Sequence, residues 1–328
     1  MAHDLKMVKL GITDLMVTRF CQGTAFRNLN RASNDPRSEA VLHHALDRGV
    51  NFFDTAQAYG WGGSETLLGK VLSGKRDDCV ICTKVPAFLP PDSTGNSGER
   101  VVFTESYLTS QLEDSLRRLR TEYVDLYLLH GPDGTGAWEE VAQSMERLRY
   151  AGKIRHWGMS NHSSDEVTRC ISAAKERCEP GPSVLEEYYT VAGYALNKDG
   201  DSRIRILEHE MFPLIKKNNL GLMAFSPMDA GQLAAAYSPE PRSALAHLTM
   251  TLDGIAKRLG ITRSILCTAW SIAHPSVTSV LGGPENETHL DEMLAGTMFD
   301  LQEDVLEDLN NASRIYSDAI VLKGRDQQ

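Results

Sequence analysis

Several polar residues of this 328-residue chain stand where apolar runs end. Asp54 follows Asn51-Phe52-Phe53, Lys84 follows Cys79–Thr83, and His130 follows Asp125–Leu129. Ser160 and Asn161 close the run Ile154–Met159, and Tyr59 lies five residues beyond Asp54. A tyrosine with its ordinary pKa near 10 is a poor acid at neutral pH, but an adjacent lysine cation stabilises the phenolate and lowers that value. A buried carboxylate keeps such a lysine charged. Asp54, Tyr59, Lys84 and His130 therefore make a coherent proton-donating set. Singly, Asp54 also fits a turn cap, Lys84 a solvated strand end and His130 a structural histidine. Their delivery by consecutive apolar runs argues for a shared site.

Such a site needs elements that bring these run ends together. Eight β-type runs recur: Val17–Gln22, Val50–Phe53, Cys79–Lys84, Val124–Leu129, Ile154–Ser160, Val184–Tyr189, Leu220–Phe225 and Val277–Leu281. Helical periodicity separates them. Leu108, Leu112, Leu116 and Leu119 follow the cap candidate Thr104. Trp138, Val141, Met145 and Leu148 precede Gly152, and Leu248, Leu252, Ile255 and Leu259 precede Gly260. Ser164 is expected to cap a helix carrying Val167, Ile171 and Ala174, and Ser64 one with Glu65 in its first turn. Repeated β-then-α units demand a parallel sheet, and eight of them fit a closed (β/α)8 TIM barrel, with chemistry at the C-terminal strand ends. The first strand leads to Gly23-Thr24-Ala25, without the G-x-G-x-x-G of a dinucleotide-binding open sheet. Residues 7–17 read as an N-terminal β-hairpin, turning at Gly11 and Asp14, that closes the barrel bottom. The expected organisation is one domain over 1–328, with the barrel at about 17–300 and a C-terminal helical segment and tail at about 301–328. Two long loops, Pro86–Phe103 and Ser226–Ala244, are expected over the active face.

Composition narrows the partners. With 34 basic and 44 acidic residues the net charge is −10, against nucleic-acid or anionic-membrane binding. No apolar run reaches the roughly 20 residues that a bilayer needs, and no secretory signal is visible. Six cysteines are sparse for this length and point to the reducing cytoplasm. Cys79 and Cys82 have redox-motif spacing but are expected on opposite sides of a buried strand. No H-x-H or H-E-x-x-H pattern suggests a metal.

The segment NFFDTAQAYGWGGSETLLGKVL strongly resembles the signature of the aldo-keto reductases, and ICTKV, DLYLLHGPD, GKIRHWGMSN and AFSPMDAGQL follow in family order. The resemblance runs from VKLGITDLMVTRFCQGTA to about Leu294. It implies a barrel that binds a nicotinamide dinucleotide, with Tyr59 as general acid, Lys84 and Asp54 tuning it, and His130 orienting the carbonyl. It implies that Ser160 and Asn161 hold the nicotinamide carboxamide, that Phe225 lies under the ring, and that Ser226 opens the pyrophosphate-covering segment. Gly23 and Thr24 lie along the cofactor, and Gly283, His289 and Glu292 contact the adenosine end. Phe26, Trp61, Phe88, Leu89 and Tyr188 are the substrate-pocket candidates by their place after strands.

Three departures from the family pattern stand out. With Tyr188 aligned to the family's tyrosine, Leu185 stands where a Gln usually contacts the carboxamide. Gly131-Pro132-Asp133 replaces the usual Trp after the histidine, which suggests a wider pocket. The stretch GGPENETHLDEML has no Lys or Arg to read a 2′-phosphate, although Arg242 from the preceding loop could reach it. NADP(H) is therefore placed only slightly ahead of NAD(H). The leading reading is an oxidoreductase interconverting a carbonyl (aldehyde, ketone or sugar) and an alcohol. The alternative is a regulatory or sensor subunit resembling potassium-channel β-subunits, which would keep the same residues with little turnover.

Overall fold

The computed structural model describes residues 5–27, 35–90, 98–193, 196–197 and 199–325. A two-stranded antiparallel hairpin, β1 (Met7–Lys9) and β2 (Met16–Thr18), precedes eight further strands. These are β3 (Phe20–Gly23), β4 (Phe52–Asp54), β5 (Val80–Val85), β6 (Val124–Leu129), β7 (Ile154–Ser160), β8 (Val184–Tyr188), β9 (Gly221–Phe225) and β10 (Ser279–Gly282). All eight pair in parallel, and β10 pairs with both β9 and β3, so the sheet closes into a barrel. The expected (β/α)8 TIM barrel is the observed fold.

Around the barrel lie α1 (Pro36–Asp47), α2 (Gly63–Val71), α3 (Glu105–Leu119), α4 (Trp138–Tyr150), α5 (Ser164–Glu176), α6 (Arg203–Ile206), α7 (Phe212–Asn218), α8 (Ala244–Leu259), α9 (Arg263–Ala273), α10 (Glu287–Thr297) and α11 (Glu303–Arg325). The heptad-like leucines of α3 are all buried, and Thr104 accepts from the Tyr107 amide as its cap. Gly260 ends α8 in the left-handed conformation. Two caps differ from the sequence reading. Ser163, not Ser164, caps α5, because its side chain and that of Glu166 complete a reciprocal capping box. Gly62 (φ 96°) enters α2, and the Ser64 hydroxyl instead donates to the Thr24 carbonyl, 2.7 Å away. The helical C-terminal segment extends through Arg325, and residues 326–328 lie outside the described residues.

Two hydrophobic layers follow from the alternation of side chains along each strand. One fills the space between strands and helices, and the other fills the barrel interior with Cys21, Phe52, Cys82, Leu126, Leu128, Val184 and Met223. Cys79 belongs to the outer layer and Cys82 to the inner one, as expected of opposite strand faces, and all six cysteines are free. Leu10, Leu15 and Val17 of the hairpin join the inner layer and close the bottom. Gly11 makes this fit possible. Its φ is 55°, and a Cβ there would lie 2.1 Å from the Gly221 amide nitrogen. Among the described residues no helix is long and apolar enough to cross a membrane.

Candidate active site

The site assembles at the C-terminal strand ends. Asp54 ends β4 and Lys84 lies near the end of β5, both fully buried. The Lys84 ammonium donates to Asp54 Oδ1 at 2.6 Å, to Asp54 Oδ2 at 2.7 Å and to the Thr55 carbonyl at 3.0 Å. Tyr59 begins a short helical turn after β4, and its hydroxyl lies 3.3 Å from Lys84 Nζ. The His130 ring meets the Tyr59 ring edge-on, with centroids 5.6 Å apart. The structure thus brings together all four residues of the proposed acid set.

Their electrostatics depart from the simple expectation. Burial pushes the Tyr59 phenol above its usual pKa, and the Asp54 and Glu186 carboxylates add to that; Lys84 pulls it down without prevailing. Net lowering by the lysine is therefore not what the site produces. The phenol keeps its proton at neutral pH. Burial, helped by the Lys84 charge, pushes His130 down to about 3, so its imidazole is neutral. The His130 Nδ1 atom is buried without a hydrogen-bond partner among the described residues.

These residues open onto a cleft of about 1120 Å³. Of the sequence-derived candidates, Gly23, Phe26, Asp54, Tyr59, His130, Asn161, Phe225, Ser226, Gly283, His289 and Glu292 line it. Ser160 and Thr24 are buried and do not line it. The Ser160 hydroxyl accepts from Asn161 Nδ2 at 3.0 Å, and Asn161, at φ 60°, also donates to the His130 carbonyl at 3.1 Å. Ser226, Asp229 and Ala230 likewise take positive φ, so the segment after β9 is sharply bent where it runs along the cleft. Trp61, Phe88 and Tyr188 are not among the lining residues. Trp61 and Phe88 pack edge-on against each other at 5.8 Å. Tyr188 packs against Phe225 and donates to Asp229. Leu89 is exposed beside residues 91–97, which lie outside the described residues.

Glu186 was not expected. The register pairs Ser160 with Glu186 across β7 and β8, which turns Glu186 inward and Leu185 outward into the helix-facing layer. Leu185 therefore faces the helix layer, and Glu186 lines the cleft on that strand. Its Oε2 atom lies 3.2 Å from Lys84 Nζ. Burial and the Asp54 charge push its carboxyl up to about 8. The sequence Val184-Leu185-Glu186-Glu187-Tyr188 carried the signal, two acids ending an apolar run, but not the register that chooses between them.

At the far end, Arg27 and Arg263 also line the cleft. Arg27 reaches Glu285 at 3.2 Å and the Ala230 carbonyl at 2.8 Å. Arg263 makes a two-pronged pair with Asp253, at 2.8 and 2.6 Å. Arg242 is not among the lining residues. Asp133, in the segment replacing the family Trp, is buried and holds the Phe103 amide at 2.9 Å, so it joins two loops.

A closed eight-stranded parallel barrel with polar strand ends around a large top-face cleft defines the class of α/β-barrel enzymes. The chain belongs to the aldo/keto reductase family, whose profile matches residues 19–314. It is 27% identical over 322 residues to the Bacillus subtilis uncharacterized oxidoreductase YrpG, covering 92% of this chain and 94% of that one. It is 28% identical to a probable voltage-gated potassium channel subunit beta of Oryza sativa subsp. japonica, covering 86% of this chain and 88% of that protein. The holo form of the aldo-keto reductase AKR11C1 from Bacillus halodurans superposes with a TM-score of 0.78 at 23% identity, covering 94% of this chain and 96% of that one.

Proposed function

We propose that the chain, folded as one barrel domain in a reducing cytoplasm, interconverts a small carbonyl compound and its alcohol with a nicotinamide cofactor. One observation carries this reading: a protonated phenol, a neutral imidazole and a lysine–carboxylate pair converge at one end of a cleft large enough for a dinucleotide. The bound nicotinamide supplies or accepts the hydride. Tyr59 donates its proton to the carbonyl oxygen in reduction and takes it back in oxidation. Lys84 stabilises the phenolate that this leaves, and Asp54 keeps Lys84 charged. His130, neutral, donates one hydrogen bond to the same oxygen and orients it. Asn161 and Ser160 offer amide and hydroxyl groups to the carboxamide, and Phe225 offers a flat apolar surface beside the ring. The unpartnered, buried His130 Nδ1 and Glu186 Oε2 fit a site completed by a polar ligand. Gly283, His289 and Glu292 line the end suited to the adenosine, with NADP(H) slightly ahead of NAD(H). Phe26 borders the substrate space.

The test is oxidation of NADPH and NADH by a panel of aldehydes, ketones and sugars, comparing wild type with Tyr59→Phe. Loss of the phenol is expected to lower turnover about 10²–10⁴-fold while cofactor affinity stays within about twofold. A Tyr59→Phe enzyme that works at the wild-type rate would place the proton donor elsewhere. The likeness to the rice β-subunit supports one second reading, a cofactor-binding sensor. Tight cofactor binding with turnover near background across the panel favours that reading.

A further inference from the structure

Three charged groups meet at the barrel centre, and their donors and acceptors do not balance. The Lys84 ammonium has three protons. Four acceptors already face them: Asp54 Oδ1 at 2.6 Å, Asp54 Oδ2 at 2.7 Å, the Thr55 carbonyl at 3.0 Å and the Tyr59 hydroxyl at 3.3 Å. Glu186 lies 3.2 Å away, yet its Oε2 has no hydrogen-bond partner among the described residues, and the residue is only 3% exposed. Two carboxylates therefore share one cation whose protons already face other acceptors, and they also lie against each other. Glu186 also lines the cleft at the register position of Ser160.

We propose that Glu186 is a charge switch that distinguishes the two redox forms of the cofactor, remaining a neutral acid beside the reduced nicotinamide and releasing its proton to solvent when the cationic, oxidised ring is bound. This inference rests on the nicotinamide reading above. An oxidised nicotinamide ring carries a positive charge and a reduced one carries none, so only the oxidised form gains from a carboxylate nearby. Most surrounding groups hold a fixed state through the neutral range. Burial raises the thiols of Cys21 on β3 and Cys82 on β5, as it does the Tyr59 phenol, and its carboxylate neighbours raise Lys84. Asp54 on β4 is held to Lys84 by both oxygens, and burial raises its carboxyl as well, so the two acids titrate as neighbours. On β7 and β9 the facing residues, Ser160 and Met223, do not titrate in this range. Glu187, the next residue of β8, is also raised by burial, also has a buried oxygen without a partner among the described residues, and feels both Arg203 and Glu186; it serves as the control for a buried acid one position along the strand. The carboxyl of Glu186, held up to about 8, lies within reach of such a switch.

The experiment is calorimetric titration of the wild-type protein with NADP⁺ and with NADPH, and with NAD⁺ and NADH, near pH 7.5 in two buffers of different ionisation heat. Binding of the oxidised form is expected to release a substantial fraction of a proton more than binding of the reduced form. The ratio Kd(oxidised)/Kd(reduced) should fall about tenfold between pH 6.5 and 9.5. Groups at the adenosine end see the same ligand in both forms and cancel from this ratio. Glu186→Gln should abolish both effects, and Glu187→Gln should keep them. Equal proton release by the two forms in the wild type overturns the proposal whether or not either variant folds. So does a ratio that falls equally in Glu186→Gln, or one flattened by Glu187→Gln alone. Failure of the wild type to bind either cofactor pair would instead overturn the nicotinamide reading, and this proposal with it.

Discussion

Buried carboxylates occur in two settings in this barrel, and the contrast separates scaffold from site. Between strands and helices, Glu65, Glu146 and Asp125 each have their own donors. Glu65 accepts from Thr83 and from Arg118, both at 2.6 Å. Glu146 accepts from the Trp157 indole, the Gly181 amide and Arg149. Asp125 accepts from the Ile81 amide, Arg76 and Arg155. At the barrel centre Asp54 and Glu186 share one cation, Lys84. Full satisfaction fixes a charge in place and leaves it inert. Partial satisfaction leaves a group whose protonation a ligand can move.

Breaking the scaffold set should have the largest effect. Arg118→Met leaves the Glu65 carboxylate buried without its cation and should cost about 3–5 kcal/mol of stability, read from urea unfolding. Glu186→Gln removes an acid that lacks a donor and should cost less than about 1 kcal/mol at pH 6. Equal losses in the two variants would erase the distinction drawn here.

The contrast extends to two cations at the far end of the cleft. Arg27 and Arg263 are already paired, with Glu285 and Asp253. A 2′-phosphate must compete with those carboxylates, so the NADPH-to-NADH ratio in kcat/KM should stay within about 100-fold, or about 2.7 kcal/mol. A preference of several thousandfold would mean that one arginine abandons its partner on binding.

The most specific effect is a pH slope. Glu186 has its carboxyl raised in the folded state, from the ordinary 4.5 to about 8. The stability that its neutral form contributes is therefore complete below about 4.5 and is lost as pH rises through about 8. Wild-type stability should decline relative to Glu186→Gln by about 1.4 kcal/mol per pH unit across that window. Parallel curves for the two proteins would show that the carboxyl titrates normally.

Much of this was legible in the residues themselves. All eight barrel strands were marked by short apolar runs, because parallel strands covered on both faces have no polar side to interrupt them. The sequence run placed Val17 in the first barrel strand, whereas it belongs to the hairpin and the strand begins at Phe20. Asp54, Lys84 and His130 were readable because each is a polar residue at the end of such a run. Glu186 was hidden by its neighbour: a shift of one residue exchanges the inner and outer faces, and only the pairing with Ser160 fixes which acid turns inward. The cap at Ser163 escaped for a similar reason: serines stand in tandem at 163 and 164, so local chemistry alone cannot choose between them. Gly62 escaped because the Ser64 hydroxyl is taken by the Thr24 carbonyl, a partner 40 residues away in sequence.

The floor of the barrel carries a consequence for synthesis. Gly11 is seated against Asn219, Leu220 and Gly221, about 210 residues further along the chain. At typical translation rates of about 5–20 residues per second, the hairpin leaves the ribosome roughly 10–40 s before its seat exists. Met7, Ile12 and Met16 remain exposed even in the finished fold, and Leu10, Leu15 and Val17 join them until β9 is made. The plug thus docks late, as a long-range contact must.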